Sequence, residues 1–182
     1  LNQEAIVQVL YADRADPQLR LWKGLRLAAI DSSLVRLPNQ EDLGQAFGWV
    51  SSENQSGPCG RFPEARLSIL TDVLNRIGLQ TCLEPSSKGE RELALEHLQD
   101  LEAWDLVLFD RGYAEYKLWA CWVKAQRLFA CRCQANSFGI VNRLFEANQA
   151  GRSVVVELTP HHDKRAEIQQ AEDALRILGG RI

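Results

Sequence analysis

LRLAAIDSS (residues 25–33) and WDLVLFDRGY (residues 104–113) decide how this chain reads: each is an apolar run that meets an aspartate, Asp31 in the first and Asp110 in the second. An apolar run of roughly four to eight residues bounded by polar ones reads as a buried strand. Burying an unpaired carboxylate is costly, so an Asp at the edge of such a strand is expected to have a compensating partner, often a cation. Neighbouring strands lie about 4.8 Å apart. If these two strands are adjacent, their carboxylates can share one divalent metal. The competing reading is that each Asp simply opens a turn or caps a helix.

Outward from these runs the chain alternates between apolar segments and breakers. Residues 2 to 12 predict a short helix with Ile6, Val9 and Leu10 at helical spacing, ended by Asp16-Pro17. Residues 25 to 31 predict a first strand, and 33 to 37 continue extended to Pro38. SSENQSGPCG (51–60) has the composition of a surface loop. Residues 65 to 74 and 79 to 84 read as strands around a bend at Asn75 to Gly78. A helix follows from Ser87, with Leu93, Ala94, Leu95, Leu98 and Leu101 apolar and His97 expected on the surface. Then come a strand at 106–110, an aromatic-rich helix at 114–126 and a strand at 128–133. That order fits a mixed sheet with helices on its faces, an α/β class. Beyond it, 141–151 reads as a helix closed by Gly151, 153–158 as a strand, and a last helix follows Asp163 with Ile168, Ala171, Leu175 and Leu178 in one stripe.

From Trp22 to Arg132 the chain resembles a DDE transposase of the insertion-sequence type with a ribonuclease H-like catalytic domain. WKGLRLAAIDSSLVRLPNQEDLGQAFG (22–48) is similar to the family's segment around its first catalytic Asp, and PEARLSILTDVLNRIGLQTCLEP (63–85) to the strand pair after it. LVLFDRGYAEYKLW (106–119) is similar to the second catalytic Asp with its D-R-G-Y signature, and LFACRC (128–133) to a strand ending in a basic residue. DRGY alone is a weak signal; the segments in order carry the resemblance. It implies an N-terminal helical segment at 1–21, a ribonuclease H-like core at 22–133, and the start of a β-rich insertion subdomain at 134–182, within which the fold is truncated.

The resemblance further implies metal-dependent DNA strand cleavage and strand transfer. Asp31 would bridge two Mg2+ (or Mn2+) ions and Asp110 would be the second ligand. Two hard cations about 3.5–4 Å apart activate a nucleophile and stabilise a leaving oxygen, and magnesium needs few protein ligands beyond carboxylates. Arg111, Lys117 and Arg132 would meet DNA phosphates. The implied partners are DNA, as transposon ends and target, and a homodimer in the synaptic complex; the implied location is the bacterial cytoplasm, at the nucleoid. The chain departs from the family in two places. Ser32 stands where a Gly usually follows the first Asp. The pattern Y-x-x-R-x-x-x-E-x-x-x-x-x-x-K, which holds the third acid, is absent, and the nearest spacing is His162, Arg165, Gln169 and Arg176. The chain also opens on Leu and contains no Met. The expectation is therefore a piece of a longer protein, with its third Glu beyond Ile182 and inactive alone. The alternative is a non-catalytic transposase remnant that binds DNA or a partner transposase.

Composition sets the outer limits. The 182 residues suit one compact domain, and 46% apolar with 25% charged residues is ordinary for a globular protein. A net charge of −3 argues against whole-surface attraction to nucleic acid, so DNA contact needs a local basic patch. No apolar run approaches the roughly 18 residues that span a bilayer. The five cysteines are odd in number and form no C-x-x-C, so they are expected to be reduced thiols packed as small apolar groups. Cys131 and Cys133 would alternate along one strand and share a face. His161, His162 and Asp163 lack a fourth ligand at a familiar zinc spacing. No Walker, G-x-S-x-G or dinucleotide glycine motif occurs.

Overall fold

A computed structural model describes residues 8–54 and 57–147, with backbone alone for 52–54 and 57–59. The described chain is mixed α/β, and its strands pair both antiparallel and parallel. It falls into two compact units, one ending at Asp100 and the other beginning at Leu101. No helix among the described residues is long and apolar enough to cross a membrane.

The first unit contains β1 (Arg26–Arg36), α1 (Glu41–Phe47), β2 (Trp49–Asn54), β3 (Gly57–Asp72), β4 (Ile77–Pro85) and α2 (Glu90–Glu96), which runs on as a 3-10 turn at His97–Asp100. The long β3 organises it. Its first half pairs antiparallel with β2, Trp49 opposite Pro63, and its second half pairs antiparallel with β1 and β4. Strand periodicity sorts β1 into two faces. Arg26, Ala28 and Ile30 are buried, whereas the intervening residues are half-buried and Asp31 is exposed. Ser68 stands opposite Ser32 and Leu70 opposite Ile30, so these share the buried face. Leu93, Ala94 and Leu98 are buried in α2 and its 3-10 extension, and His97 bonds Ser68 Oγ at 3.0 Å. The helix thus covers one face of the sheet and Asp31 lies on the other.

A buried polar cluster ties the N-terminal segment to the β3–β4 hairpin. Asp72 is fully buried and accepts from the Tyr11 hydroxyl (2.8 Å), the Asn75 amide (2.9 Å) and Asn75 Nδ2 (2.8 Å). Such partners offset the cost of burying a carboxylate. Burial first, then the Asp72 carboxylate, push the Tyr11 hydroxyl well above the usual phenol range. The Arg26 guanidinium lies 4.6 Å from the Tyr11 ring centre. Asn75 also exchanges two bonds with the backbone of Arg20.

In the second unit, β5 (Asp105–Phe109) and β6 (Leu128–Cys131) pair in parallel and are joined through a 3-10 turn (Arg111–Tyr113) and α3 (Tyr116–Lys124). Parallel strands need such a helical crossover. Val107, Phe109, Tyr113, Leu118, Cys121 and Trp122 are buried. Phe109 stacks on Tyr113 (ring centres 5.2 Å apart) and meets Trp122 edge-on (4.9 Å). The final described element, α4 (Gly139–Glu146), buries no residue.

Several sequence expectations are corrected. β1 runs through Asp31 to Arg36, so the extended stretch at 33–37 belongs to the same strand and Asp31 does not end it. Of the loop expected at 51–60, residues 51–54 and 57–60 are extended backbone in β2 and β3, which pair with each other; main-chain hydrogen bonds do not depend on side-chain polarity. α1 and β2 have no counterpart in the sequence reading. His97 is buried, not on the surface. β6 ends at Cys131, so Cys133 lies beyond the strand. Four cysteines (Cys82, Cys121, Cys131 and Cys133) are free thiols, as expected, and the Cys59 side chain lies outside the described residues. Residues 8–10 are helical, and α4 accounts for part of the helix expected at 141–151. The helix expected at 2–12 does not extend over 11–12, and its residues 2–7, residues 148–151, the strand at 153–158, the helix after Asp163 and the His161–His162–Asp163 group lie outside the described residues.

Candidate functional site

Asp31 sits within β1, opposite Ile69 of β3, and is exposed. Its Oδ1 accepts a hydrogen bond from the amide of the next residue, Ser32, at 2.9 Å. Among the described residues Oδ2 has no hydrogen-bond donor. Ser32 supplies that amide, a role that any residue but proline can fill.

Asp110 follows β5 directly and caps the 3-10 turn Arg111–Tyr113. The capping reading is therefore correct for Asp110. Its Oδ1 accepts from the Arg111 amide at 2.6 Å and from Arg132 Nε and Nη2 at 3.1 and 2.6 Å. All three donors converge on one oxygen, and among the described residues Oδ2 has none. The Arg111 amide first, then the Arg132 guanidinium, hold the carboxyl below the usual carboxylate range. Strand register explains the meeting. Phe109 stands opposite Cys131 in the parallel pair, so the residues that follow each, Asp110 and Arg132, leave the same end of the two strands. The Arg132 amide, bonded to the Phe109 carbonyl at 3.1 Å, continues that pairing by one residue.

The two aspartates are thus alike in three respects: each is exposed, has Oδ1 held by the amide of the following residue, and has no donor on Oδ2 among the described residues. The argument that burial forces a cation on them does not hold, because neither is buried. What fits a hard divalent cation is the donor set itself, carboxylate oxygens with free lone pairs. Among the described residues no group of three or more His, Cys, Asp or Glu is placed to hold a metal.

Of the three expected phosphate contacts, Arg132 reaches Asp110, whereas Arg111 contributes its backbone amide and keeps its side chain exposed. Lys117 is half-buried in the first turn of α3 and forms no ion pair with Asp110. The Cys131 thiol lies 3.5 Å from the backbone carbonyl oxygens of Asp110 and Arg132. Burial, with Cys133 alongside, pushes Cys131 up to about 11.

The sequence reading missed the Ser68–His97 pair. Its signal was present: His97 follows Leu93 by four residues and Ala94 by three, which places it on the apolar stripe of the helix. Burial pushes His97 down to about 4, so its ring is neutral near pH 7. Ser68 is fully buried as well, which closes this pair to a substrate.

No protein-family model matches the chain, and comparison with curated proteins finds no significant match.

Proposed function

We propose that the chain carries the carboxylates of a ribonuclease H-like transposase core, which cuts and rejoins DNA with Mg2+ or Mn2+ held by Asp31 and Asp110. The observation that carries this reading is the shared local geometry of the two aspartates, each with one oxygen fixed by the following amide and the other open. Fixing Oδ1 orients each carboxylate and leaves the lone pairs of Oδ2 for a cation. The bound cation would supply Lewis-acid activation of the attacking oxygen and stabilisation of the leaving one. Arg132 and Arg111 add positive charge beside Asp110, where a DNA phosphate would lie, in a protein whose net charge of −3 otherwise repels it.

These 182 residues supply two of the acids that such chemistry uses, and the third-acid pattern is absent from them. They are expected not to cleave DNA by themselves. The test is nicking of duplex DNA by the gene product that carries these residues, in Mg2+ or Mn2+. Asp31→Asn and Asp110→Asn should each abolish nicking while leaving the unfolding midpoint unchanged. Nicking that survives both substitutions would overturn the assignment.

A further inference from the structure

We infer that Arg132 is a positioning residue that holds Asp110 until a divalent cation binds and then turns to a DNA phosphate, coupling cation loading to phosphate capture. This rests on Asp110 being a cation ligand. The geometry of the pair points to a transferable contact rather than a fixed one. A guanidinium can grip a carboxylate with two parallel bonds, one to each oxygen. Here Nε and Nη2 both bond Oδ1, so Oδ2 stays open and three of the five guanidinium N–H groups remain outside this contact. The side chains of Arg132 and Asp110 are 70% and 55% exposed, and an ion pair in such surroundings is weak. The backbone of both residues is fixed by the β5–β6 register, so the Arg132 side chain can leave while the strand end stays in place.

A cation entering at Oδ2 comes close to the guanidinium, and like charges repel. The carboxylate cannot satisfy both equally, and a divalent ion attracts it more strongly than a monovalent one. The released guanidinium keeps the fork geometry that suits a phosphate.

Mn2+ binding followed by electron paramagnetic resonance, with the wild-type chain and Arg132→Gln, Arg132→Lys and Asp110→Asn, tests the coupling. Arg132→Gln should bind Mn2+ roughly fivefold more tightly than wild type, because a competing and repelling charge is gone. Arg132→Lys, which keeps the charge, should lie close to wild type. In Ca2+ rather than EDTA, a short DNA duplex should bind wild type with a salt slope steeper by about 0.9, the value for one added phosphate contact; Arg132→Gln should show no such change. Equal Mn2+ affinity in wild type and Arg132→Gln, with binding lost in Asp110→Asn, overturns the coupling and leaves Asp110 as a ligand. Tighter Mn2+ binding with no Ca2+-dependent salt slope in wild type overturns the transfer to phosphate. Mn2+ binding unchanged in Asp110→Asn, or absent from every variant, removes the ligand reading and this inference with it.

Discussion

Acidification should destabilise the first unit through one side chain, His97. Its ring is fully buried and bonds Ser68 Oγ at 3.0 Å, and burial lowers its pKa from 6.5 to about 4. A base whose pKa is lower in the folded than in the unfolded state takes up protons preferentially on unfolding. Its contribution is therefore complete above pH 6.5 and is lost progressively as pH falls from 6.5 to 4. Each pH unit in that window costs about 1.4 kcal/mol, which gives about 3 kcal/mol across it. The assay is urea unfolding between pH 7.5 and 4 for wild type and His97→Gln, whose amide can still meet Ser68 but cannot titrate. The variant should be less stable at pH 7.5, and the gap should shrink or reverse toward pH 4. Parallel stability curves for the two proteins would refute the neutral, buried assignment.

Gly44→Ala tests a close approach. A methyl group at Gly44 would run into the Trp49 indole, whose face is also held 4.2 Å from the Arg61 guanidinium. Helix propensity favours alanine by about 1 kcal/mol, but overpacking costs about 1–3 kcal/mol. A net loss near 1 kcal/mol with altered tryptophan fluorescence is expected; a raised unfolding midpoint would show that the ring yields freely. Tyr11→Phe removes one of three donors to the buried Asp72 carboxylate and should cost about 1.5–3 kcal/mol in urea unfolding. It should also speed hydrogen exchange at the Arg20 amide, which Asn75 Oδ1 holds; unchanged exchange there would mean that Tyr11 does not tie the segment down.

Elements built from apolar side chains were legible in the sequence, and elements built mainly from backbone bonds were not. DLVLF announces β5, which is buried at alternate positions, and LFAC announces β6 by its apolar side chains although none of them is fully buried. Residues 57–60 read as a loop from Gly, Pro and Cys, yet they extend β3 because β2 satisfies their backbone. α1 escaped notice because EDLGQAF is short, carries a central Gly and packs that Gly rather than an apolar stripe. At the candidate site the residue types were legible and their setting was not. Strand register could have foretold that Arg132 meets Asp110, since the parallel pairing of 106–109 with 128–131 carries both residues to one end. The fixing of Oδ1 by the next amide depends on local backbone angles that no motif specifies. The buried histidine was not legible because its helix is largely charged on one side, although its spacing from Leu93 and Ala94 places it on the apolar stripe.

The proposed function has its divalent cation held by both Asp31 and Asp110. Fe2+ can stand in for Mg2+, and with ascorbate and peroxide it generates hydroxyl radicals that cut the polypeptide beside the metal. Fragment mapping should show cleavage near both residue 31 and residue 110, suppressed by excess Mg2+. Both cuts should disappear together in either Asp31→Asn or Asp110→Asn. Cleavage at one position alone, or at both after either substitution, would contradict the shared site.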